Sequence, residues 1–260
     1  MEKEIRRQQD SVLFEGMTSI RACIRAMEEG LSDRRIERIY IDQDKTRTKS
    51  GETGYLRAMG EKYGFPIEPT DSATLDEMTL GTSHGGFAAV CTMRSLQPLT
   101  PDDILPGQFA VWIEGIEDPY NFGYALRSLY ACGVDLVVLS PRNWMHAAGV
   151  VCRSSAGASE LLPMYVAADE TVTDWFHDKG YKIACAGIRD SVSSFDADLT
   201  KPLFLIVGGE KRGISRKLLD RADLIVRIDY GRAFRGSLSA ASACAMLAYE
   251  VLRQNRGTEE

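Results

Sequence analysis

The sequence contains few histidines, no long apolar run and no closely spaced pair of cysteines. Only three of its 260 residues are histidine, which argues against a histidine-rich metal site. No apolar run reaches the roughly 18 residues of a membrane-spanning helix, and the charged opening MEKEIRRQQD lacks the apolar segment of a signal peptide. The six cysteines are scattered without a C-x-x-C pair, as is typical of reduced, buried thiols. The sequence therefore predicts a cytoplasmic protein with no membrane segment and no bound metal.

The composition is that of a globular chain whose basic residues are unevenly distributed. Hydrophobic residues make up 44% of the chain and charged residues 26%, which is enough apolar material for a sizeable core. The net charge of −6 argues weakly against nucleic-acid binding. Residues 34–57, however, carry seven lysines and arginines and residues 205–235 carry eight, each against four acidic residues. These segments are either solvated faces or a nucleic-acid footprint, and composition alone favours solvated faces.

A proline-rich segment divides the chain into two predicted domains. Residues 96–106 contain three prolines, which disfavour both a helix and a central strand, so this segment is predicted to be a linker. Residues 1–95 then form a small α/β domain. In residues 107–260, apolar runs typical of buried parallel strands alternate with helical segments, the pattern of an α/β sheet. The runs cover residues 109–113, 134–139, 182–186, 203–207 and 224–228, and the helical segments cover 121–132, 170–179, 215–221 and 237–254.

Three segments that follow strands are the candidate site, because ligands of such sheets bind beyond the carboxyl ends of the strands. Residues 114–127 open a helix, with Asn121 as a candidate N-cap and Arg127 six positions later. Residues 206–215 contain glycines that let a ligand approach the backbone, and residues 235–246 are rich in serine and alanine. Alone, each is explained better by ordinary structure, namely a capped helix, a tight turn and close helix packing respectively. None has a P-loop or G-x-G-x-x-G pattern, which disfavours a nucleotide-dependent small-molecule enzyme.

Together and in this order, the three segments resemble the signatures of SpoU-type, TrmH-like RNA 2′-O-ribose methyltransferases of the SPOUT superfamily. The matching residues are Asp118-Pro119-x-Asn121-x-Gly123-x-x-x-Arg127, Gly208-Gly209-Glu210-x-x-Gly213 and Ser237-Leu238-Ser239. The resemblance covers residues 107–254, and more loosely the first domain, which looks like the small RNA-binding module that precedes many of these enzymes. Ser239 departs from the pattern, because the family usually has asparagine at that position.

The resemblance implies a SPOUT-type parallel sheet with a C-terminal trefoil knot, preceded by a small α/β RNA-binding domain. It implies a homodimer that binds S-adenosylmethionine and methylates a ribose 2′-hydroxyl in tRNA or rRNA. The cofactor-binding residues would be Gly187, Gly208, Gly209, Gly213, Ile228 and Leu238. The catalytic residues would be Arg127, Asn121, Glu210 and Ser237, and the RNA-binding residues Arg34, Arg35, Arg47, Lys49 and Arg153.

Arg127 is the central catalytic residue that the resemblance implies, and two roles are open for it. It could act as a general base assisted by a substrate phosphate, or as a clamp that holds phosphate and stabilises the developing alkoxide. The clamp is physically easier, because a guanidinium stays protonated in proteins. An alternative function is a knotted RNA-binding protein of the same fold without methyltransferase activity, and Ser239 is the residue that supports it.

Overall fold

The computed structural model describes residues 11–80, 82–105, 107–141 and 147–257. These residues divide into two compact units. The first unit comprises residues up to 95 together with the segment 147–161, and the second comprises residues 96–141 and 162–257. Within the described ranges no helix has the length and apolar character needed to cross a bilayer.

The first unit is built on a four-stranded mixed sheet covered by helices. Its strand order is β1-β4-β2-β3, with β2 and β3 parallel and the other pairs antiparallel. Helix α1 places Ile20 and Ile24, one turn apart, on the buried face, as the spacing of apolar residues predicts. The elements are β1 (Ser11–Glu15), α1 (Gly16–Glu28), β2 (Ile36–Asp42), α2 (Ser50–Tyr63), β3 (Ile67–Thr70), α3 (Ser72–Met78) and β4 (Phe87–Thr92).

The segment 147–161 packs into the first unit, so the prediction of one continuous domain over residues 107–260 is wrong for this stretch. It contains α5 (Ala148–Ser154) and α6 (Ala158–Leu161). Glycine permits the contact with β1, because a Cβ at Gly149 would lie 2.0 Å from the carbonyl oxygen of Leu13. Because this packing brings together residues that are far apart in sequence, no local sequence pattern predicts it.

The second unit contains an eight-stranded sheet in the order β10-β12-β9-β11-β6-β7-β8-β5. Every pairing among its described strands is parallel. This confirms the α/β prediction and explains the continuous apolar runs, since parallel strands are covered on both faces. The strands are β5 (Gln97–Pro98), β6 (Phe109–Glu114), β7 (Leu136–Leu139), β8 (Met164–Val166), β9 (Lys182–Ala186), β10 (Val192–Ser193), β11 (Leu203–Gly208) and β12 (Leu224–Arg227).

The predicted linker is part of the second unit. Strand β5 pairs with β8 at the edge of the sheet, a place where proline is tolerated because the outer side needs no ladder donor. Leu99 and Ile104 are buried in the core with Phe176 and Phe204. Pro98 lies within β5, Pro101 begins a single turn of 3-10 helix, and Pro106 lies outside the described residues. Residues 96–105 are therefore packed into the second unit and do not form a free linker.

Four helices of the second unit connect or cover these strands: α4 (Pro119–Ala131), α7 (Val172–Asp178), α8 (Arg216–Leu219) and α9 (Ala240–Gln254). Helix α4 begins with Pro119 at its first position, and the Asp118 side chain accepts a hydrogen bond from the backbone N–H of Asn121 at 2.8 Å. Asp118 is therefore the N-cap, and the prediction that Asn121 caps this helix is wrong. The Asn121 side chain is left available for another contact.

Candidate functional site

The direction of the chain connections in the second sheet reverses between β6 and β11. These two strands are neighbours, with Gly208 in register with Glu114. The chain continues from β6 to β7 on one side, and from β11 to β12 on the other side, beyond β9. Parallel sheets bind ligands at such a reversal, outside the carboxyl ends of the strands. The loops that leave β6 and β11 are therefore the place where a site is expected.

A pocket of about 240 Å³ lies at the carboxyl ends of β9, β11 and β12. Its walls are mainly apolar, with a small number of polar groups, as is common for cofactor sites. The lining residues that the sequence predicts are Gly187, Gly208, Gly209, Glu210, Gly213, Ile228, Ser237 and Leu238. Those without a sequence signal include Ile188, Ile214, Val226, Tyr230 and Leu247.

The glycine loop 208–213 brings its backbone to one wall of this pocket. A Cβ at Gly208 would lie 2.4 Å from the carbonyl carbon of Gly213, and a Cβ at Gly209 would lie 2.1 Å from the carbonyl oxygen of Gly115. No side chain fits at either position without moving backbone. The wall therefore offers peptide groups to a ligand.

A side-chain hydrogen bond connects this loop to the start of α4. The Asn121 Nδ2 donates to Glu210 Oε1 at 2.6 Å. Glu210 is one of the residues that line the pocket, whereas Asn121 is not. The contact brings the first and second predicted signatures together.

Ser237 and Leu238 line the pocket from the segment that precedes α9. Ser239 instead caps α9, because its Oγ accepts a hydrogen bond from the backbone N–H of Ser242 at 3.1 Å. Serine and asparagine are equally good N-caps. The helix therefore begins at Ala240, and the departure at position 239 keeps the capping contact.

The sequence comparison decides which family this arrangement represents. Residues 108–249, more than half of the chain, match the SpoU rRNA Methylase family. The chain belongs to the SpoU rRNA methylase family. The matched region begins just before β6 and ends within α9, so it includes every element that lines the pocket.

Individual relatives of this SpoU family member agree with the assignment. The chain is 31% identical over 205 residues to an uncharacterized tRNA/rRNA methyltransferase of Mycobacterium avium, covering 75% of this chain and 64% of that protein. It therefore spans less than two thirds of that relative. It is 27% identical over 208 residues to the 23S rRNA (guanosine-2′-O-)-methyltransferase RlmB of Shewanella oneidensis, covering 77% of this chain and 83% of that protein.

The crystal structure of the SpoU methyltransferase AviRb from Streptomyces viridochromogenes, in complex with the cofactor AdoMet, has the same fold. It superposes with a TM-score of 0.76 at 20% identity, covering 96% of this chain and 92% of that chain. This likeness supports the α/β architecture that the resemblance implies.

Arg127 of this SpoU family member lies outside the pocket. It is exposed on α4, and the described residues include no ionic partner for it. Tyr120 and Tyr124 precede it at helical spacing and are also exposed, so the three side chains share one face. The pocket of a single chain is thus assembled without Arg127.

The predicted RNA-binding residues of the first unit differ in their surroundings. Arg34 is wrong as an RNA contact: its side chain is 3% exposed, and its Nε donates to Glu160 Oε2 at 2.8 Å. Such a buried guanidinium has a structural role. Lys49 donates to the carbonyl oxygen of Gly85 at 2.9 Å, and Arg153 pairs with Glu15. Exposed positions are occupied by Arg35 and Arg47.

The cysteines near the site do not supply a nucleophile. Burial raises the pKa of Cys185, on β9, to about 12, and burial likewise raises the pKa of Cys244, on α9, to about 12. Both thiols are therefore protonated at neutral pH. No cluster of three or more potential metal ligands occurs among the described residues.

Proposed function

We propose that this chain transfers a methyl group from S-adenosylmethionine to a ribose 2′-hydroxyl of tRNA or rRNA. The observation that carries the proposal is the pocket at the carboxyl ends of β9, β11 and β12, where the glycine loop, Glu210 and Leu238 come together. Family membership supports the reaction class. The name of the Shewanella oneidensis relative and the AdoMet complex of AviRb support the acceptor and the donor.

The residues of the pocket fit S-adenosylmethionine. Ile188, Ile228 and Leu238 offer apolar surface to a flat base, and the glycine loop offers backbone donors and acceptors close to it. The Glu210 carboxylate provides negative charge for a ligand that carries a sulfonium and an ammonium group. Mixed apolar and polar walls of this kind suit a nucleoside joined to an amino acid.

The cofactor supplies an already activated methyl group, so the protein must mainly align the acceptor hydroxyl and help its proton leave. We assign Glu210 to the wall facing the reacting groups, with Asn121 as the residue that positions it. Arg127 holds an RNA phosphate and stabilises the charge that develops on the ribose oxygen. Ser237 lies at the same wall as Leu238 and offers a hydroxyl to either ligand.

A second copy of the chain is proposed to bring Arg127 to the pocket. Helices α4 and α9 pack together, and their outer faces carry Tyr120, Tyr124, Met246 and Tyr249, which are 48–64% exposed. Clustered apolar residues of this size are typical of an interaction surface. A symmetric dimer through this face would cover them and carry Arg127 toward the partner's pocket.

The dimer is tested by placing a charge on this face. Tyr249→Asp is expected to convert the dimer to monomer, because an unpaired carboxylate would be buried in the interface. Sedimentation velocity measures the change. Phe195→Asp is a suitable control, because Phe195 is 77% exposed but lies outside α4 and α9. A dimer that survives Tyr249→Asp and dissociates with Phe195→Asp would place the interface elsewhere.

The trefoil knot and the cytoplasmic location stay predictions. The knot is supported by the meeting of the segments after β9, β11 and β12 at one pocket. The cytoplasmic location is supported by six cysteines that are all unpaired and buried. For RNA binding, Arg35, Arg47 and Arg153 remain the candidates with exposed side chains.

Calorimetric titration with S-adenosylmethionine is the experiment that tests the proposed function. Saturable binding is expected, and Leu238→Arg is expected to abolish it by filling the apolar wall with a charged side chain. The control is Leu80→Arg, because Leu80 is 67% exposed in the first unit. Absence of binding to the unmodified, folded chain would contradict the proposal and favour an RNA-binding protein without methyltransferase activity.

A further inference from the structure

A second pocket lies on the other side of the glycine loop. It has a volume of about 250 Å³, similar to the first, and sits at the carboxyl ends of β6 and β7. It is not part of the cofactor site described above, although the two are adjacent along the same edge of the sheet. Its lining residues are Glu114, Gly115, Glu117, Ser140, Pro141, Gly209, Lys211, Arg212 and Gly213.

A single segment of backbone separates the two pockets. Gly209 and Gly213 line both pockets. Gly209 packs so closely on Gly115 that a Cβ would lie 2.1 Å from the Gly115 carbonyl oxygen. A ligand in the second pocket would therefore lie directly beside a ligand in the first.

The carboxylate of Glu114 gives the second pocket a hydrogen-bond acceptor. Its Oε2 accepts from the backbone N–H of Ser215 at 2.9 Å, which fixes the side chain. Its Oε1 has no partner among the residues that the structure describes. An ionised carboxylate accepts hydrogen bonds and cannot donate them. The group therefore selects a ligand that carries N–H or O–H donors.

The positive charge in the second pocket comes from two residues of the glycine loop, Lys211 and Arg212. Lys211 pairs with Glu117 at 2.5 Å, and both side chains are substantially exposed. Arg212 is exposed and has no ionic partner within the described ranges. A guanidinium in this position can bind a phosphate through two parallel hydrogen bonds. The pocket thus combines one fixed acceptor with cations at its rim.

We propose that the second pocket binds a nucleotide of the substrate RNA, with its base against Glu114 and its phosphate against Arg212. This proposal rests on the proposed function, because it assumes an RNA acceptor beside the cofactor pocket. Guanine, adenine and cytosine carry an amino group that can donate to the Glu114 carboxylate. Uracil has one N–H flanked by two carbonyl oxygens, which a carboxylate repels. The pocket therefore prefers an amino-bearing base.

Nucleoside monophosphates test this preference on the full-length chain. With S-adenosylmethionine bound, calorimetry should show that cytidine 5′-monophosphate binds about tenfold or more tightly than uridine 5′-monophosphate, as expected for a hydrogen bond to a charged group. Glu114→Gln keeps an acceptor oxygen for Ser215 and adds N–H donors. This variant is expected to abolish the preference for cytidine and to bind S-adenosylmethionine as the unmodified chain does.

The phosphate contact is tested separately. Arg212→Ala should weaken cytidine 5′-monophosphate about tenfold and leave cytidine itself unchanged. Arg216→Ala is the matched control, because Arg216 is a neighbouring exposed arginine that pairs with Asp220 and does not line the pocket.

Two results would contradict the proposed nucleotide site without contradicting the proposed cofactor site. One is normal S-adenosylmethionine binding with no binding of any monophosphate. The other is equal binding of cytidine and uridine monophosphates that Glu114→Gln does not alter. If the unmodified chain does not bind S-adenosylmethionine at all, the proposed function itself is contradicted.

Discussion

Replacing Arg127 with lysine is expected to remove most methyl transfer and to leave S-adenosylmethionine binding unchanged. The side chain lies outside the cofactor pocket, so the affinity for the donor should not depend on it. Its planar guanidinium can grip a phosphate and the developing alkoxide together, whereas an ammonium is a point charge. Loss of one donor that stabilises a transition state lowers kcat about 10²–10³-fold. Single-turnover methylation of unmodified rRNA and tRNA measures the effect, with Arg216→Lys as the surface control.

Mixed dimers show whether Arg127 acts in its own chain or across the interface. A chain with Arg127→Lys keeps an intact cofactor pocket but lacks the arginine. A chain with Leu238→Arg keeps Arg127 but has a blocked pocket. If Arg127 serves the partner's pocket, a dimer of one chain of each variant contains one complete site and regains about half of the activity of the unmodified dimer. If Arg127 serves its own chain, the mixed dimer stays inactive. Near-normal turnover by Arg127→Lys alone would contradict both catalytic roles.

The segments that line the pocket were predicted from the resemblance to SpoU-type enzymes, since each segment alone is explained by ordinary local structure. At Gly208 and Gly209, where a buried strand ends, only a residue without a side chain lets two stretches of backbone meet, and Gly213 has a positive φ of 64°. The serine at 239 could be judged as a departure from the family pattern. Its function as an N-cap could not be judged until the helix start was known.

Tertiary packing explains what the sequence did not show. Arg34 lies in a basic segment, and its pairing with Glu160 joins residues 126 positions apart. The same long-range packing places residues 147–161 in the first unit. Tyr230 and Ile188 reach the pocket from irregular loops and carry no periodic signal. Glu114 was predicted to begin the loop after a strand, and its place at a second pocket depends on which strands become neighbours in the sheet.

Gly209→Ala is expected to weaken S-adenosylmethionine binding at least tenfold. The new methyl group would lie 2.1 Å from the Gly115 carbonyl oxygen and 2.9 Å from the Glu114 carbonyl oxygen. Both obstacles are backbone at the carboxyl end of a central strand, so the glycine loop must move instead. Overpacking of this kind costs about 1–3 kcal/mol, and the displaced loop is a wall of the pocket. Calorimetry gives the affinity, and thermal unfolding shows whether the chain stays folded.

A graded series of glycine substitutions separates displacement of the loop from a general loss of stability. A Cβ at Gly231 would meet nothing within 4 Å, and one at Gly187 would lie 2.9 Å from a side-chain methyl of Ile225. Because a methyl group moves more easily than a backbone carbonyl, affinity should fall in the order Gly231→Ala, Gly187→Ala, Gly209→Ala. Unfolding temperatures that fall while affinities stay equal would show that the glycines serve only stability. A Gly209→Ala chain that is folded and binds normally would mean that the cofactor does not touch this loop.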